Sequence, residues 1–112
     1  MHQIVPNNEL QSLPCSNVAI SCALHKTIII PTSHNDGWMT LKDCNKAVRK
    51  YCNVKRGGYK YFKRGERPLL KNLKLSKAIV CVYGHLLYLE NNNYWSFFNN
   101  ENDEVVAYWE IE

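Results

Sequence analysis

Long apolar runs are missing from this chain. No stretch approaches the roughly 20 consecutive apolar residues that a membrane-spanning helix requires, so no membrane segment or membrane partner is expected. The opening MHQIVPNNELQSLP has neither a basic n-region nor an apolar h-region, and no secretory signal is expected. There is no Cys-x2-Cys pair. Cys22-x2-His25 and Cys44-x7-Cys52 fall on expected helix faces or ends and lack structural zinc spacing, so no metal site and no cofactor are expected. No helix-turn-helix or RNP sequence, internal repeat or linker is visible, and Asn91–Asn93 is the only low-complexity tract. Acidic residues are scarce in one place above all. Between Lys42 and Lys77 only Asp43 and Glu66 oppose thirteen Lys and Arg, which leaves that segment at +11 and the remainder at −7.

What is present describes one ordinary folded domain, residues 1–112, with 46% hydrophobic and 21% charged residues. Five cysteines is an odd number. With no export signal, a reducing cytoplasm with free thiols is the default. Small size and an Asn- and Lys-rich composition suit a phage or other viral source, in which case the compartment is the host cytoplasm. Oligomeric state is open.

Helix-start signals at Ser12, Pro14 and Ser16 precede Cys15, Val18, Ala19 and Cys22, which recur at i, i+3, i+4, i+7. Ile20 and Leu24 add apolar residues on other faces, the mark of a short buried helix. Cys15 then lies in the first turn, beside unpaired backbone N–H groups and the positive end of the helix dipole, a setting that favours thiolate. Thr27–Ile30 reads as a short strand or extended link, and residues 31–37 as a loop. Thr40 caps a second helix, Leu41 to Tyr51, with Leu41, Cys44, Ala47, Val48 and Tyr51 as its apolar stripe. Gly57–Gly58 reads as a breaker, YKYFK as a short strand, and Leu69–Leu75 as a helical turn.

The clearest strands come last: Ala78–Tyr83, a hairpin of His85–Leu89 and Tyr94–Phe98 turning on the Asn run, and Val105–Ile111. The layout predicts an α+β fold, a buried N-terminal helix on a mainly antiparallel sheet of three or four strands. A three-residue hairpin loop sets Leu89 against Trp95, Leu87 against Phe97 and His85 against Asn99. A two-residue loop would break that last pairing.

Cys15, His85 and Asn99 occur in the order that cysteine-based acyl transfer uses. Cys15 would attack a carbonyl as thiolate, His85 would carry the proton, and Asn99 would orient the imidazole. The backbone N–H of Cys15 and the amide of Gln11 would hold the oxyanion. A catalytic pair needs the sulfur within about 4 Å of the ring, allowing for looseness without substrate. Each residue also has a plainer reading: Cys15 as a small buried hydrophobe, His85 as a solvated strand end, Asn99 as a turn residue.

The pieces PCSNVAISCAL, SKAIVCVYGHLLYLE, YWSFFNN and DEVVAYWEIE resemble papain-like cysteine peptidases, and more narrowly the small, NlpC-like papain-fold proteins common in phages and bacteria. In that pattern Cys opens a central helix, Gly-His begins a strand, and the chain closes on Tyr-Trp-Glu. The resemblance is weak over residues 25–75. Pro14 stands where that group usually has Asp, and Asn99 where it often has Asp. What the resemblance implies is a compact papain-like domain that hydrolyses peptide or isopeptide bonds, or a related amidase or acyltransferase, acting on a peptide or protein substrate.

A second class of function comes from the basic segment. Lys55, Arg56, Lys60, Lys63, Arg64 and Arg67 interleave with Tyr59, Tyr61 and Phe62. Cations track phosphate and aromatics stack on bases. The same segment would suit an acidic protein partner, on a papain-like scaffold that is catalytically silent.

Overall fold

A computed structural model describes residues 1–30 and 40–112; the loop expected over residues 31–37 lies outside them. Helix α1 (Cys15–Leu24) and helix α2 (Leu41–Tyr51) pack on a six-stranded mixed sheet of β1 (His2–Ile4), β2 (Val54–Tyr61), β3 (Lys77–Val82), β4 (His85–Glu90), β5 (Asn93–Trp95) and β6 (Val105–Ile111). The strand order is β1-β5-β4-β3-β6-β2. Only β1 and β5 run parallel; every other pair is antiparallel. This is an α+β fold. Among the described residues no helix is long and apolar enough to cross a membrane.

The two helices form for the expected reasons. Thr40 Oγ1 accepts from the Asp43 N–H at 3.2 Å, and the Asp43 carboxylate accepts from the Thr40 N–H at 3.3 Å, a reciprocal cap that fixes the start of α2. α1 is buried almost all round. Its polar Ser21 is satisfied by the Ile28 N–H, 2.8 Å away, which ties the outgoing link to the helix. His25, in the left-handed region at φ 57°, ends the helix.

Strand alternation divides the core in two. Ile79, Leu86, Tyr88, Ala107 and Trp109 face the helices and meet Ala19, Ile20, Ala47 and Val48. Val80, Leu87, Leu89, Tyr94 and Val105 face the other way and are covered by Leu70 and Leu73, from a 3₁₀ turn at Leu70–Asn72. Each fully buried Leu, Ile or Val contributes about 1.5–3 kcal/mol.

Three expectations need correction. Among the described residues the sheet has six strands, not three or four. β1 is a three-residue edge strand held by its parallel pairing to β5, and β2 is longer than YKYFK and runs through the glycine pair. Gly57–Gly58 does not break the strand but bulges it: the pairing with β6 shifts between Val54 and Tyr59, with Gly57 at φ +71°. Third, the hairpin loop has two residues. Glu90 pairs with Asn93, Leu89 with Tyr94 and Tyr88 with Trp95, and Asn91 alone takes the left-handed conformation at φ 56°. β5 ends at Trp95, short of the expected Phe98.

Candidate active site

At one end of the sheet, where β3 turns into β4, a cleft of about 320 Å³ opens. Cys15 and Ser16 reach it from the start of α1, Thr40, Leu41 and Cys44 from the start of α2, Cys81 and Val82 from the end of β3, and His85 and Leu86 from the start of β4. The Tyr83–Gly84 turn closes one side, with Gly84 at φ +70°. Val106 is the extra residue of a bulge, since Cys81 pairs with Ala107 and Val82 with Val105, and it too lines the cleft. Arg64 and Arg67 complete the rim.

Cys15 is the first residue of α1 and is half-buried. Its N-cap, Pro14, offers no side-chain acceptor, so the first-turn N–H groups, those of Cys15 and Ser16 among them, are the orphan donors of the helix end. The other four thiols are disfavoured as nucleophiles. Burial pushes Cys22, Cys52 and Cys81 up to about 11 and Cys44 up to about 12. Neighbouring thiols add to the rise, Cys81 and then Cys15 at Cys44 and Cys15 at Cys81, while Arg67 opposes the shift at Cys81. Among the described residues no three of His, Cys, Asp or Glu converge to hold a metal ion.

The histidine is held by a chain of polar groups, buried at Ser96 and Asn100 and exposed at Asp103, and the direction of every hydrogen bond in it can be deduced. Asp103 is acceptor-only, so the Asn100 side-chain N–H faces it, Nδ2 to Oδ2 at 2.7 Å. Asn100 Oδ1 therefore faces Ser96 and accepts its hydroxyl proton at 2.6 Å. That leaves Ser96 Oγ with lone pairs only. It accepts from the Phe98 N–H at 3.1 Å and from His85 Nε2–H at 3.0 Å. His85 is thus the Nε2–H tautomer, and its Nδ1 carries the free lone pair. Ser96 is 1% exposed and Asn100 5%. Phe98 packs edge-on against the imidazole at 5.6 Å. Burial lowers the His85 pKa below its ordinary 6.5, and the Asp103 charge partly offsets the fall.

The expected site is therefore only partly assembled. Cys15 and His85 share the cleft, but no hydrogen bond joins the sulfur to the ring. Strand alternation sets His85 on the Leu87 and Leu89 side of β4, while Cys15 packs against the helix-side core. The cleft lies at the sheet's end, where the two sides meet. Asn99 is not the partner of His85. With the two-residue turn the register moves by one, and Asn99 Oδ1 instead accepts from Tyr94 O–H at 3.3 Å and the Glu101 N–H at 3.2 Å. Gln11 ends the 3₁₀ turn Asn8–Leu10, is exposed, and does not line the cleft. Ser96 and Asn100 are the groups that sequence reasoning missed. The one signal was a small polar residue inside the aromatic run YWSFF.

The basic residues separate into two groups. Lys55, Arg56, Lys60, Tyr59 and Tyr61 lie on β2, an edge of the sheet, and Lys63 follows it, exposed. Tyr59 also packs on Trp109 at 5.4 Å, and Lys60 lies over Phe62 at 5.6 Å. Arg64 and Arg67 belong to the cleft.

No family model, characterised protein or solved structure matches the chain.

Proposed function

We propose that this protein is a cysteine hydrolase of papain-like type, acting on a peptide, isopeptide or related amide bond. The observation that carries this reading is one cleft holding a thiol at a helix start and an imidazole whose tautomer is fixed. Cys15 Sγ attacks the carbonyl carbon. His85 Nδ1 takes the thiol proton, directly or through one water, and returns it to the leaving amine as the acyl-enzyme forms. Water then hydrolyses the thioester with His85 as base. Ser96 and Asn100 take the orienting task that sequence reading gave to Asn99, and the first-turn N–H groups of α1 serve the oxyanion. Burial suits His85 to the base role, because a lowered pKa keeps the ring neutral near pH 7.

The test is thiol reactivity mapped by mass spectrometry. Iodoacetamide near pH 6.5 should modify Cys15 well ahead of the other four cysteines, and His85→Ala should remove that advantage. Equal labelling of all five, or an unchanged Cys15 rate in the variant, would end the hydrolase reading.

A second reading is a binding scaffold that uses its basic edge for nucleic acid or an acidic protein. It is favoured by β2, where Tyr59 and Tyr61 stand 37% and 45% exposed among lysines and Arg56.

A further inference from the structure

The cleft is asymmetric in charge. Arg64 and Arg67 line it, and no Asp or Glu does among the described residues. Arg67 is half-buried, and its Nε–H donates to the Phe62 carbonyl at 3.2 Å. That bond uses one of five guanidinium donors and anchors the stem. The terminal N–H groups have no protein acceptor among the described residues. Arg67 is close enough to Cys81 for its charge to act on that thiol, and Cys81 is in turn within electrostatic reach of Cys15. Two acids whose charge acts on cleft residues have other tasks: Asp43, which acts on Cys44, caps α2, and Asp103, which acts on His85, holds Asn100. Elsewhere the lining is mostly apolar, with Leu41, Val82, Leu86 and Val106 beside Ser16, Thr40 and His85.

We infer that Arg64 and Arg67 form an anion subsite beside Cys15, and that the acyl substrate carries a carboxylate close to the bond attacked, on an otherwise aliphatic body. A guanidinium fork matches a carboxylate in shape and charge, and a low-dielectric wall strengthens the pairing. The inference rests on the hydrolase reading only in calling the occupant a substrate.

The experiment compares two alkylating agents of nearly equal size, anionic iodoacetate and neutral iodoacetamide, at Cys15. Their rate ratio, relative to the same ratio for a small neutral thiol, isolates attraction of a carboxylate to the cleft. The ratio should exceed the reference about tenfold, a modest case of charge focusing in a cleft. Arg67→Gln and Arg64→Gln should each reduce it, and the double variant should return it to the reference; any change in the thiolate fraction of Cys15 scales both rates alike and leaves the ratio untouched. Lys55→Gln with Lys77→Gln, which removes equal charge from the opposite end of the sheet, should leave it unchanged. Arg64 is exposed, so its variant keeps the test decisive even where Arg67→Gln unfolds the chain. A wild-type ratio at the reference, or a raised ratio that both arginine variants retain, overturns the subsite. Loss of the iodoacetamide advantage in His85→Ala is a separate readout and speaks only to the hydrolase reading.

Discussion

His85 Nε2 lies 3.0 Å from Ser96 Oγ, and that hydroxyl gives its own proton to Asn100. The serine is therefore an acceptor toward the ring, which leaves Nδ1 as the basic nitrogen. Ser96→Ala removes the acceptor and strands Asn100 Oδ1 and the Phe98 N–H in a buried site. The expected stability cost is about 1–3 kcal/mol, read as a lower urea midpoint. A merely structural role would stop there. A positioning role also moves the tautomer: ¹⁵N chemical shifts of His85 should report Nε2–H in the wild type and a mixture in the variant, with Cys15 alkylation slowed about tenfold.

Adjacent asparagines provide a sharper contrast. Asn100 is buried and links Ser96 to Asp103, whereas Asn99 joins Tyr94 to the backbone of Glu101. Asn100→Ala should slow Cys15 alkylation and destabilise the fold. Asn99→Ala should cost only about 0.5–1.5 kcal/mol and leave the alkylation rate within twofold. The reverse order of effects would restore the three-residue hairpin loop and the Asn99 role.

That contrast marks the boundary of what the sequence could tell. The start of α1 at Cys15, the bounds of α2 and β6, and the Thr40 cap were legible because local signals specify them: apolar periodicity, a capping residue, a continuous apolar strand. The hairpin was legible as a hairpin, but its register was not. Any member of Asn91–Asn93 tolerates the left-handed region, and choosing between a two- and a three-residue loop reverses which faces meet. β1 was invisible, since His2–Ile4 is a strand only by virtue of β5, about ninety residues later. Gly57–Gly58 misled because a bulge and a break call for the same residues. Cys15 and His85 were singled out from their settings, and the fold brings both to one cleft. Ser96 and Asn100 were not, because their roles exist only once the register is known, and Arg64 and Arg67 looked like more of the basic face until the fold brought them to the cleft.

The buried histidine predicts a pH dependence with a definite sign. Its folded pKa lies below the unfolded value near 6.5. Over the interval between the two, the unfolded chain binds more protons, so stability falls as pH drops. The contribution of neutral His85 is present above about pH 6.5 and is lost as pH falls through the folded pKa. His85→Gln keeps an N–H for Ser96 and cannot titrate. Urea midpoints measured from pH 7.5 to 5 should fall more for the wild type than for this variant. Asp103→Asn removes the charge that props the pKa up, so the His85 NMR titration should move lower still; an upward move would contradict the chain deduced here.

Gly58 tests the bulge on β2. A Cβ built there would meet the backbone carbonyls of Glu110 and Lys55, both at 2.9 Å. Neither can retreat without opening the β2–β6 pairing. Gly58→Ala should therefore destabilise by more than about 1 kcal/mol and speed amide exchange at the edge of the sheet. Gly65→Ala is the control for backbone strain without crowding. Its φ is +91° with nothing within 4 Å of a Cβ, so it should lower stability while leaving exchange along β2 unaltered.

The basic edge yields the last prediction. Lysines on an edge strand have a sufficient structural explanation, because charge there discourages pairing with another chain. Nucleic-acid binding asks more of them: Lys55, Arg56 and Lys60 must engage phosphates while Tyr59 or Tyr61 stacks on bases. The two accounts differ in salt dependence. On the binding account, a fluorescent single-stranded oligonucleotide should associate at low salt, and log K should fall with log salt at a slope near −0.7 per phosphate engaged. Lys55→Glu with Lys60→Glu should abolish association while Cys15 alkylation stays at the wild-type rate. On the guarding account no anisotropy change occurs at any salt, and the same double variant gains no solubility over the wild type. Tyr59 is half committed to Trp109, so Tyr61→Ala should cost the larger share of any stacking affinity. If Tyr59→Ala weakens binding more, the bases stack on the Tyr59 ring despite its packing on Trp109.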